Sequence, residues 1–238
     1  CVKGSGREDQ HNNSNSESAL PVFSCDYAFL KSSTEAENNE TDKITLFIVK
    51  ERKSKAIFAT VCPVKGTETH AATGLFLDAI EELGYKDSPI LYKSDQEPAI
   101  LAVLNEVSRL RLAQTSPEEI PPQTLPESSP VGSSQSNGEV EGAVGIITGV
   151  LRRAKLTIEK RLNVKLPLRH RCVPWMLMHV CFCYNRFQVG DDGKTPYSRI
   201  RGKDFDRSMV EFGERVLYQK PKTTIGPNLN QAGTRAEE

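Results

Sequence analysis

The sequence predicts an α/β fold, a mixed five-stranded sheet with flanking helices, and three observations predict it. Three short apolar, β-branched runs follow one another closely enough to form a meander. Beyond residue 66 the pattern switches to strand–helix–strand, which places helices against a sheet. A long segment with three-to-four apolar spacing then begins abruptly after a polar stretch rich in proline and serine. At 238 residues the chain suffices for one sizeable core and a small appendage.

Residues 1–19 are polar and are expected to be a disordered linker. The first strand is expected over Leu20-Pro21-Val22-Phe23-Ser24-Cys25, running straight into Asp26. Residues 44–49 and 56–61 read as the next two strands, joined by the charged Glu51-Arg52-Lys53-Ser54-Lys55 in an antiparallel connection. Thr67 and Thr69 are candidate caps for a helix reaching Leu83, which Gly84 ends in a left-handed conformation. Residues 89–92 read as a strand with Asp95 just past its end, 98–110 as a helix, and Leu112-Ala113 as a short strand. The stretch 115–138 holds five prolines and reads as a long functional loop.

From Val140 the apolar residues fall at Val144, Ile147, Leu151, Ala154 and Ile158, one face of a helix ending near Arg161. Glu141 shares another face with Gly145, Thr148, Arg152 and Lys155, an acid followed by cations. A further helix from Pro174-Trp175 is apolar all round and is expected to be buried, between two surfaces. Residues 190–193 are a turn, and residues 212–218 read as a last strand before a polar tail. The resulting division is a linker (1–19), a core (20–188) and a basic extension (189–238).

No apolar run is long enough to span a bilayer, and no secretory signal opens the chain. The chain begins at Cys1 rather than Met and is expected to be a piece of a longer product. Six cysteines scattered mostly in apolar runs read as buried thiols of an intracellular protein rather than as a disulfide framework. The four histidines do not pair with them at zinc-finger spacing. Charges balance at 31 against 31, yet residues 1–130 carry 13 basic against 20 acidic side chains and residues 131–238 carry 18 against 11. That asymmetry points to an anionic partner for the second half.

Asp26, Asp95 and Glu141 stand at strand ends and a helix start, positions that converge at one edge of such a sheet. Three carboxylates there make a hard, oxygen-rich site suited to Mg²⁺ or Mn²⁺. Each acid has a plainer reading, as a turn former or as a complement to a helix dipole. Ser24-Cys25-Asp26, Lys93-Ser94-Asp95-Gln96-Glu97 and Ser134-Gln135-Ser136-Asn137-Gly138-Glu139-Val140-Glu141 resemble the three acid motifs of a long-terminal-repeat retrotransposon integrase catalytic core. Gly66-Thr67-Glu68-Thr69, Tyr184-Asn185-Arg186, Gly193-Lys194-Thr195-Pro196-Tyr197 and Phe212-Gly213-Glu214 are similar to further segments of such polyproteins, in the same order.

The resemblance implies a ribonuclease-H-like core that binds two Mg²⁺ or Mn²⁺ ions. Asp26 would hold both, and Asp95 and Glu141 one each, with Glu141 preferred to Glu139 because it stands three residues after Gly138. It also implies end-processing and strand transfer on DNA, with element ends and target DNA as partners, no membrane, and a homo-oligomer. Asn137, Arg152 and Lys155 are the expected DNA contacts. The chain departs from the family at Gly142, where related elements commonly have Arg, and at Gly145 and Thr148, where some retroviral relatives have Lys. Two alternatives therefore stay open: a catalytically degenerate nucleic-acid-binding relic, and a ribonuclease-H-like nuclease that cuts without joining.

Overall fold

A computed structural model describes residues 20–31, 43–115, 120–127 and 138–217. The sheet comprises β1 (Val22–Lys31), β2 (Lys43–Glu51), β3 (Ile57–Cys62), β4 (Ile90–Lys93) and β5 (Thr124–Pro126), in the order β3-β2-β1-β4-β5. The first three strands form an antiparallel meander, and β4 and β5 add to β1 in parallel. Helices α1 (Ala71–Glu82), α2 (Pro98–Ala113), α3 (Gly138–Leu162), α4 (Cys172–Phe187) and α5 (Pro196–Arg201) complete the described elements. The mixed five-stranded sheet with flanking helices is thus the fold that the sequence predicts.

Strand alternation divides the sheet into two faces. Phe23, Cys25 and Tyr27 of β1 join Phe47, Val49, Phe58 and Ile90 on one face, and α1 and α2 cover it with Phe76, Ala79, Ile100, Val103 and Leu104. Ring contacts fill this layer, with Phe23 against Phe76 at 5.5 Å and Tyr27 against Phe47 at 5.0 Å between centroids. The opposite face, with Val22, Ser24 and Asp26, lies under α3 and α4. There Val140, Ala143, Ile147 and Leu151 are buried, with Met176, Leu177 and Val180 from α4.

Several boundaries differ from the sequence reading for identifiable reasons. β1 runs to Lys31, so Asp26 sits within the strand rather than after it: the pairing with β2 continues through Lys31↔Lys43 because Tyr27 and Leu30 are buried. Leu112 and Ala113 end α2 instead of forming a strand. The fifth strand is β5, inside the proline-rich stretch, where Pro126 is tolerated because the strand is an edge. The side chain of Arg111 holds it there, donating to Thr124 Oγ1 at 2.7 Å and to the carbonyls of Gln123, Tyr85, Lys86 and Ser88 at 2.6–3.3 Å.

Helix α1 starts after His70, in a left-handed conformation (φ 54°), with no side-chain cap. Thr67 is instead spent on a turn, its carbonyl accepting from the His70 amide at 3.1 Å. Gly84 ends the helix at φ 80°, as expected. Helix α4 begins at Cys172, two residues before Pro174, and buries only one side. Trp175 and Met178 on its other side are 70% and 60% exposed, so the all-round burial expected of this helix is not found.

Asn185 pins α4 to β3 with two hydrogen bonds, its amide donating to the Ile57 carbonyl and its oxygen accepting from the Ile57 amide, both at 2.9 Å. Behind α4 the turn at 190–193 is present. Phe205 packs edge-on against Phe182, Phe187 and Tyr197, with the Arg186 guanidinium 3.3 Å from the Phe182 ring centroid. This compact unit ends at Arg207. Residues 208–217 belong to a separate unit, in which a turn closes between Glu211 and Glu214 and residues 212–217 form no strand. The expectations for residues 1–19, for Asn137 and for Tyr218 lie outside the described residues.

Candidate active site

The parallel pairing of β1 with β4 sets Ser24 beside Lys93. Two residues farther along both chains come Asp26, still within β1, and Asp95, just beyond the end of β4. Asp26 is half-buried, and its Oδ1 accepts from the Tyr27 amide at 2.7 Å. Burial raises its pKa first; the Tyr27 amide pulls the other way, and Asp95 and Glu97 push it up further while Lys65 opposes them. Asp95 is exposed beyond the end of β4, and its Oδ1 faces the Glu97 amide at 3.4 Å. Cys25 feels both acids: burial, then Asp26 and Asp95, push its thiol far up, so it stands as an inert core thiol. The structure therefore brings Asp26 and Asp95 together.

A cation stands at the rim of this pair. Lys65 Nζ bonds both Glu97 oxygens, at 2.6 and 2.9 Å, and lies 5.0 Å from the Tyr27 ring centroid and 5.1 Å from that of Phe29. Tyr27 in turn accepts the Gly66 amide at 2.8 Å, fixing the loop that carries Lys65.

Glu141 is not brought to the two aspartates as a third ligand. Among the described residues no group of three His, Cys, Asp or Glu side chains stands close enough to share an ion. Glu141 is exposed on the first turn of α3 and makes no ion pair with a described residue. Glu139 occupies the sheet-facing side of that turn. Its carboxylate accepts from Ser24 Oγ at 3.3 Å and from Arg52 Nε at 3.1 Å to each oxygen, and Lys50 Nζ donates to its carbonyl at 3.3 Å. Two residues of helix correspond to about 200° of rotation, which turns Glu141 away from the side that Glu139 uses.

The same Arg52 forks onto Glu127 with bonds of 2.6 and 2.8 Å, and Lys93 Nζ lies 3.7 Å from that carboxylate. These charges were missed from sequence, where Arg52 is one of five polar residues in a turn and Glu127 belongs to a proline-rich loop. Of the expected DNA contacts, Arg152 is exposed on α3. Lys155 does not stand free: it pairs at 2.8 Å with the buried Glu159, which also accepts the Leu166 amide at 2.7 Å.

At the level of sequence, no protein family and no curated protein matches this chain. Solved structures do. The magnesium-bound catalytic core of HTLV-2 integrase in its trimeric form matches with a TM-score of 0.53 at 19% identity, covering 77% of this chain and 99% of that one. Its dimeric form gives 0.50 at 18%, over 76% and 94%. A chain of the simian T-cell lymphotropic virus intasome, in complex with the PP2A regulatory subunit B56 gamma, gives 0.54 at 17%, over 87% of this chain and 61% of that one. At these identities the likeness is one of fold, and the mixed five-stranded sheet with its flanking helices is the fold of a retroviral integrase catalytic core.

Proposed function

We propose that this chain is the catalytic core of a long-terminal-repeat retroelement integrase, a polynucleotidyl transferase that processes DNA ends and joins them to target DNA. The observation that carries the reading is the meeting of Asp26 and Asp95 across the β1–β4 pair, on a sheet shared with integrase cores. The donors suit a hard divalent cation: burial and the neighbouring Asp95 both disfavour the charge of Asp26, so a cation beside it relieves both penalties. Asp26, Asp95 and Glu141 are the residues that would hold two Mg²⁺ or Mn²⁺ ions, Glu141 only once the first turn of α3 turns it toward the aspartates. Such ions activate an attacking oxygen and stabilise the departing one.

In this reading Arg152 and Asn137 grip DNA phosphates, and Lys155 joins them only by giving up Glu159. The working form is a homo-oligomer, for which the exposed Trp175–Met178 side of α4 is the contact with a second copy. The HTLV-2 cores are described in dimeric and trimeric forms, which supports a second copy as the occupant.

The relic reading has one observation of its own, the outward Glu141: among the described residues no three acidic side chains are grouped so as to share an ion. The test is incubation with duplexes ending in the element's own terminal repeats, in Mg²⁺ and in Mn²⁺. Nicking that is lost in Asp95→Asn and Glu141→Gln but kept in Glu139→Gln supports the proposal. Joined products separate an integrase from a nuclease that only cuts. Binding without cleavage under either metal establishes the relic.

A further inference from the structure

We propose that Arg52 is a positioning residue: by gripping Glu127 and Glu139 together it sets the rotation of the first turn of α3, and with it the direction of Glu141. The role given to Glu141 rests on the function proposed above; the clamp itself rests on geometry alone. Glu127 follows β5 and Glu139 opens α3, twelve positions apart in sequence, and one guanidinium takes both. Its Nη1 and Nη2 each donate to a Glu127 oxygen, while Nε donates to Glu139.

Arg52 is itself anchored to the sheet, its amide donating to the Val22 carbonyl at 2.9 Å. Ser24 from β1 and Lys50 from β2 close on Glu139 from below. Lys93 on β4 lies 3.7 Å from Glu127, and the two acids balance the charges of Arg52 and Lys93. Side chains from β1, β2, β4, the β2–β3 turn, the segment after β5 and α3 thus meet at one point.

Apolar burial does not do this job. Val140 and Ala143 are fully buried and fix how deep the turn sits, but non-directional contacts tolerate a small rotation about the helix axis. Directional, charge-assisted bonds to Glu139 do not. Glu139 and Glu141 belong to the same turn, so fixing one aims the other. Lysine cannot substitute, because a single ammonium lacks the planar fork that serves two carboxylates at once.

Three variants test this: Arg52→Gln, Arg52→Lys and Glu139→Gln. The primary readout is hydrogen exchange of the backbone amides of residues 139–143, with those of β1–β3 as internal reference. We expect exchange in 139–143 to accelerate about tenfold or more in Arg52→Gln and in Glu139→Gln, with Arg52→Lys between wild type and Gln and the reference strands unchanged. Glu139→Gln retains the Arg52–Glu127 pair, so it reports on the clamp even if Arg52→Gln fails to fold. Unchanged exchange in 139–143 for both Arg52→Gln and Glu139→Gln overturns the proposal. A wild-type chain that cuts no DNA removes the proposed function, while the exchange readout still decides the clamp.

Discussion

At the scale of single residues, the Arg52–Glu127 pair makes a prediction in pH. The pair is largely shielded, with side chains 24% and 20% exposed, and Arg52 holds the Glu127 carboxyl below its ordinary range. A carboxylate whose pKa is lower in the folded state contributes stability that is complete above the unfolded value of about 4.3 and is lost as pH falls through the folded value. Charged hydrogen bonds of this kind contribute about 1–3 kcal/mol. Melting curves of wild type and Arg52→Gln should therefore differ by several degrees with a constant gap above about pH 5, and the gap should close as pH falls below about 4. A gap that stays constant into acid would show that the pair contributes nothing. None of this was legible in sequence, because the partners of Arg52 lie 75 and 87 positions away and only the folded sheet brings them together. The nearness of Asp26 to Asp95, by contrast, was legible, since each is embedded in an extended motif at or near a strand.

At the scale of elements, α3 is the instructive case. Its buried stripe through Val140, Ile147, Leu151 and Ile158 follows the predicted period, because a three-to-four spacing survives translation into burial. Yet the helix carries Gly142, Gly145 and Gly149, and a Cβ built at any of them meets nothing within 4 Å. Nothing in the packing requires these glycines, so each Ala replacement should stabilise the helix by about 1 kcal/mol. We expect the melting temperature of Gly145→Ala/Gly149→Ala to rise by about 4–8 °C, measured by circular dichroism. A fall would mean that the open space is needed for another chain. Sequence reading failed where a polar or proline-rich composition hid a tertiary constraint. Asp26 looked like a strand end although neighbouring β2 extends the pairing past it, and β5 looked like loop although Arg111 ties it to α2.

At the scale of the whole molecule, α4 faces two ways. One side is buried against the sheet and α3, and the other presents Trp175 and Met178 to solvent. Fully burying a side chain of that size is favourable by about 1.5–3 kcal/mol, so two copies meeting through this side gain substantially from four such side chains. Light scattering on size-exclusion fractions should find a dimer or larger for wild type and a monomer for Trp175→Glu, with the melting transition of the monomer still cooperative. A wild-type monomer at high micromolar concentration would remove this surface as the oligomer contact.

The bond between Asn185 and Ile57 has a bearing on solubility. β3 is an edge of the sheet, and the edge of a sheet is a template onto which any passing strand can add. The Asn185 amide takes both the donor and the acceptor that Ile57 turns outward, so the first rung of that template is already filled by a side chain shaped like a peptide group. Asn185→Leu keeps the bulk and strips the disguise. It should cost about 2–4 kcal/mol from two orphaned backbone groups, and the surviving folded molecules should self-associate through β3, seen as thioflavin-positive aggregates on storage that wild type does not form.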